Sequence, residues 1–177
     1  MSSEPLQRLA DSYLDHVLIA LRADDRGVNL RDFLDPWWVY SRGGHFVRHR
    51  RGGGYSPYSF NRPCPVEHRQ RLLQFDWLSD AASERLAART SDKCFIVDHA
   101  VPFRVLKRML FARQHQWQKD SLRVFLQKHF KRAVLTYDED ALLTSRGLRD
   151  RLPEDEDAAL DPFVRYAAAG IPGTPRL

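Results

Sequence analysis

The sequence predicts an α-rich α+β fold, with about six helices around a small two- or three-stranded sheet. Three observations predict it. Most apolar residues recur three and four apart, which gathers them on one face of a helix. Only short runs, at Trp37–Tyr40, Lys93–Val97 and Ala133–Leu135, have strand character. Capping residues and prolines stand where the periodic stretches begin or end. The 177 residues suffice for a real core. We expect one globular domain over residues 1–152 with a basic Gly/aromatic loop at 42–65. An acidic segment and C-terminal tail over 153–177 would pack on it or stay partly flexible.

Leu6, Leu9, Ala10, Tyr13, Leu14, Val17, Leu18 and Leu21 define a helix from Pro5 to Ala23, ended by Asp24, Asp25, Arg26 and Gly27. Asn29 can cap a short helix through Phe33 and Leu34 that stops before Pro36, and Trp37–Tyr40 then reads as a short strand or a buried aromatic corner. Pro65 suits the first turn of a helix reaching about Trp77. Ser79 or Asp80 starts another, to Arg89. The strand Lys93–Val97 follows, then helices over Phe103–Phe111 and Asp120–Lys131, which should pack with the N-terminal helix. Thr136 and Glu139 have capping-box spacing ahead of Ala141, Leu142 and Leu143. A small apolar helix is expected around Phe163–Ala169. Gly170, Pro172, Gly173 and Pro175 should end the chain without regular structure.

Hydrophobic content of 43% and charged content of 29% match a globular chain rather than a disordered one. No apolar run is long enough to span a bilayer, and the N-terminus lacks the basic start and apolar core of a signal peptide. A cytoplasmic protein with no membrane partner is the expectation. Two cysteines, Cys64 and Cys94, argue against a disulfide framework there. No Gly-Lys-Ser/Thr phosphate loop, dinucleotide glycine pattern, Gly-x-Ser-x-Gly elbow or His-Glu-x-x-His is present. That argues against nucleotide hydrolases, Rossmann oxidoreductases and serine hydrolases.

The net charge of +5 leans toward an anionic partner. Its placement says more. Arg42, Arg48, Arg50, Arg51 and Arg62 stand among Tyr55, Tyr58 and five glycines. Such a segment can neutralise phosphates with arginine, stack bases on tyrosine and approach the backbone closely through glycine. DNA or RNA is the expected partner; a solvated loop or one docked on an acidic protein is the competing explanation. Lys107, Arg108, Arg113, Lys119, Arg123, Lys128, Lys131 and Arg132 form a second basic region. Of these, Arg108 and Lys128 join the candidate nucleic-acid contacts. The acidic stretch Glu154–Asp161 reads as a solvated surface turn.

The segment Cys94–Phe103 runs from strand residues into Asp98-His99, and Pro102 then opens a helix. Asp98-His99-Ala100-Val101-Pro102 resembles the Asp-His-apolar-apolar-Pro start of an HNH (His-Me finger) nuclease motif. Asp120 through His129 is similar to its second half, where an Asn precedes a helical His. The resemblance covers about residues 94–131. It implies a metal-dependent phosphodiesterase with His99 as general base, Asp98 and His129 as ligands to Mg²⁺, Mn²⁺ or Zn²⁺, and Asp120 at the Asn position. Asp120 departs from the expected Asn, and Phe103–Phe111 is helical where the family has a Gly-containing loop. The structural alternative makes Asp98 a helix-start residue, His99 a satisfied buried histidine and His129 a residue of an exposed helix face between Lys128 and Lys131. Cys64 with His68, and Cys94 with His99, also have zinc-ligand spacing. That site competes with the nuclease reading for His99.

Overall fold

The computed structural model describes residues 4–42, 75–88, 95–153 and 161–176. Among them are seven helices and a four-stranded mixed sheet, a helix-rich α+β fold. The chain divides into two compact units, residues 1–59 with 107–126, and residues 60–106 with 127–177.

In the first unit, α1 (Glu4–Arg22) buries Ala10, Leu14, Val17, Leu18, Ala20 and Leu21, the stripe its periodicity dictates. Asp25 turns the chain after it by accepting from the Gly27 and Val28 amides. Helix α2 (Arg31–Tyr40) then runs straight through Pro36. The stop expected before Pro36 and the strand expected over Trp37–Tyr40 are both corrected. An interior proline costs about 3 kcal/mol. Leu34, Trp37, Trp38 and Val39 are all buried on this helix, and each large apolar side chain returns about 1.5–3 kcal/mol. Burial therefore outweighs the broken helix bond.

Two further helices, α4 (Phe103–Ala112) and α5 (Lys119–His129), each cross the division between the units. Within the first unit, Lys119 pairs with Asp15 at 2.6 Å and Arg123 with Asp11 at 3.1 Å. These ion pairs join α5 to α1. Lys107 of α4 donates to the carbonyls of Arg26 and Val28.

The second unit holds the sheet, in the order β2-β3-β1-β4. Strand β1 (Trp77–Ser79) pairs parallel with β3 (Arg132–Thr136), and β2 (Phe95–His99) pairs antiparallel with β3. All five β3 residues are buried, as a central strand requires. The helix expected to reach Trp77 gives way to strand there, because Trp77 and Leu78 lie between β3 and β4 and are buried.

Both parallel strands end in a hydroxyl that caps the next helix: Ser79 for α3 (Asp80–Ala87) and Thr136 for α6 (Tyr137–Ser145). The predicted capping box at Thr136 and Glu139 is present. The Glu139 carboxylate also accepts from Ser79 Oγ at 2.6 Å, so one acid ties the two caps together.

The tail is not irregular. Helix α7 (Val164–Ala168) is followed by β4 (Gly173–Pro175), which pairs antiparallel with β1. A Cβ on Gly173 would collide with the Trp77 ring and the Leu78 carbonyl, so only glycine lets this strand close on β1. Trp77 stacks on Tyr166 with ring centroids 4.7 Å apart, in a core with Ala100, Ala133, Leu135, Leu143, Leu148 and Ile171.

Candidate functional site

Register places Asp98 opposite Ala133 and His99 opposite Arg132. Neighbouring strand residues face opposite sides of a sheet, so the two members of the pair meet different surroundings. The His99 ring lies 5.7 Å from the Phe103 ring and 5.2 Å from that of Phe130. An Nη of Arg132 is 3.4 Å from His99 Nε2.

The Asp98 carboxylate turns toward α7. Its Oδ2 accepts from Arg165 Nη2 and, at 3.0 Å, from the Tyr166 hydroxyl. Arg165 is 1% exposed, and its donors point only at oxygens. Nε donates to the Ala100 carbonyl at 2.8 Å, Nη1 to those of Leu148 and Arg149 at 2.9 and 3.2 Å, and Nη2 also to that of His99 at 2.6 Å.

Local structure explains each acceptor. Asp98, His99 and Ala100 are where β2 ends. Leu148 and Arg149 follow Gly147, whose φ of +68° reverses the chain after α6. Burial, then the Asp98 charge, pushes the Tyr166 phenol well above its ordinary pKa, so it stays a donor. Burial, then the Asp98 charge, also raises Asp140.

The residues expected to hold a divalent ion do not come together as a ligand set. Among the described residues no group of three or more His, Cys, Asp or Glu is placed to hold a metal. Asp98 faces a guanidinium, and His129, in the last turn of α5, is 5% exposed. Asp120, in the first turn of that helix, has 90% side-chain exposure and pairs with Arg123.

Of the candidate nucleic-acid contacts, Arg48, Arg50, Arg51, Tyr55, Tyr58 and Arg62 lie outside the described residues, as do Cys64, His68, Cys94 and residues 154–160. Arg42 stacks over Trp38, 4.3 Å from the ring centroid. The second basic region is largely engaged within the protein. Lys107, Lys119, Arg123 and Lys131 bond carbonyls or carboxylates, and Arg132 is buried. Arg108 and Lys128 are exposed.

Sequence reasoning missed Arg165 and Tyr166. The available signal was a cation inside the apolar run Phe163–Ala169, which a packed helix accepts only with a buried partner. It also missed Arg104, hidden between Phe103 and Val105.

The chain matches no protein-family model, no curated protein and no solved structure. No helix among the described residues is long and apolar enough to cross a membrane.

Proposed function

We propose that this chain is a cytoplasmic nucleic-acid-binding protein that contacts the phosphate backbone, with α4 as the described part of its binding surface. One observation carries the reading. Helix α4 contains no acidic residue, and Arg104 and Arg108 stand exposed on it one turn apart. Neither makes a hydrogen bond or ion pair with the described residues. Their spacing follows from the geometry of one continuous helix. Arginine is the side chain suited to phosphate oxygens, and unpaired arginines need not break an internal contact to bind. Arg113, exposed just beyond the helix, and the basic segment that starts at Arg42 add charge of the same sign.

The test is fluorescence anisotropy with duplex DNA, single-stranded DNA and a structured RNA across a salt series. Arg104→Ala with Arg108→Ala should weaken binding. It should also flatten the log Kd–log salt slope by about 0.9 for each duplex phosphate that is no longer neutralised. Absence of binding at low salt would sink the reading and favour a protein partner with an acidic surface. The same substrates, incubated with Mg²⁺, Mn²⁺ or chelator, test phosphodiester cleavage. Metal-dependent cutting that disappears in a folded His99→Ala variant would replace binding alone with nuclease chemistry.

A further inference from the structure

We infer that Arg165 is the resident cation of the β2 strand end: its guanidinium occupies the role that a divalent ion would have beside Asp98, and this part of the protein is complete without metal. The inference does not depend on the nucleic-acid reading.

The argument is one of coordination. Hard divalent cations are held by carboxylate and carbonyl oxygens converging from several chain segments. Here that convergence exists, and its centre is a guanidinium. One carboxylate oxygen, from Asp98, and four carbonyl oxygens, from His99, Ala100, Leu148 and Arg149, all accept from Arg165. The oxygens come from the end of β2 and the turn after α6, and the cation from α7. The Tyr166 hydroxyl adds a second donor to the same Asp98 oxygen. A guanidinium has five N–H donors and no acceptor, so it satisfies such a cage where a lysine ammonium, with three donors, would not. Arg165 also brings a permanent charge, so the carboxylate has its counter-ion on folding. Asp98 Oδ1 accepts no hydrogen bond from the described residues, and its side chain is 21% exposed. That oxygen is where a metal would have to act if the inference were wrong.

The experiment uses the full chain. Urea unfolding midpoints are measured for wild type and Asp98→Asn, each in chelator and in Mn²⁺. Backbone amide signals of wild type are followed as Mn²⁺ is added. Asp98→Asn should lower the midpoint in chelator, because the guanidinium loses its charged partner. Mn²⁺ should leave the wild-type midpoint unchanged and broaden residues 98–100 no more than the exposed Asp120 and Asp150. Selective broadening at 98–100, or a wild-type gain in Mn²⁺ that Asp98→Asn abolishes, would overturn the inference. So would an Asp98→Asn midpoint equal to wild type in chelator. If Asp98→Asn does not fold, the wild-type broadening decides by itself.

Discussion

Compare the end of β2 with the helix that follows it. At the strand end, a single arginine is surrounded by oxygens and shielded from water. A few residues on, Arg104 and Arg108 of α4 face solvent with no ion pair among the described residues. A sequence count weighs these arginines equally. Their energetics are opposite. A buried cation must be matched group by group, and removing one side of the match leaves an uncompensated charge. An exposed cation contributes little to stability and keeps its full donor set for a partner. The contrast separates a cation matched inside the protein from cations that face solvent, and substitutions can break it in graded steps.

The largest effect is expected at Arg165. Arg165→Met strands Asp98 and removes donors from four carbonyls, which should cost about 3–5 kcal/mol, read as a lower urea midpoint. Arg165→Met with Asp98→Leu should lose less than the two single changes summed, because no charge is left unpaired. Additive losses would show that the charges do not act as a unit. Gly173→Ala comes next. It forces a methyl into the Trp77 ring and the Leu78 carbonyl, and overpacking of this kind costs about 1–3 kcal/mol. A wild-type midpoint would mean that β4 is not held against β1 as described. Ser79→Ala removes the α3 cap and a bond to Glu139, with an expected loss of about 1 kcal/mol. Arg104→Ala and Arg108→Ala should stay within about 0.5 kcal/mol of wild type while losing nucleic-acid affinity. A large stability loss at either would place it with Arg165 and remove it from the proposed binding surface.

The elements that local chemistry determines were legible in sequence. Helix α1 has an unbroken apolar stripe, β3 a short apolar run, and α6 a capping box, and all three stand where these signals put them. The elements missed were decided by partners far along the chain. Trp37–Tyr40 has strand-like residues but is helical because its tryptophans are buried on α2. Gly173–Pro175 has the composition of a loose tail and becomes strand because β1 offers an edge. The Asp98-His99 pair was visible, and its placement at a strand end was correct. Its partners were not visible, since Arg165 is 67 positions from Asp98 and nothing local links them.

The smallest prediction probes the charge that surrounds this closed region. The pKa of Asp140, in α6, is raised by partial burial and then by the Asp98 charge, with Arg149 and Arg165 opposing. Asp98 is held in place by Arg165 and Tyr166, so its field at Asp140 is fixed by the network. A raised folded-state pKa means that the folded protein binds this proton more tightly than the unfolded chain. The associated stability is fully present below the unfolded-state pKa and is lost as pH rises through the folded-state value. At neutral pH the ionised carboxylate therefore disfavours the fold, and Asp140→Asn should raise the urea midpoint slightly. The gain should vanish below the ordinary carboxylate range, where wild type is protonated in both states. In an Asp98→Asn background the neutral-pH gain should shrink, because one of its two causes is gone. A neutral-pH loss in Asp140→Asn would mean that the α6 dipole and the two arginines outweigh Asp98. The charge of Asp98 would then be so fully matched by Arg165 that Asp140 no longer senses it.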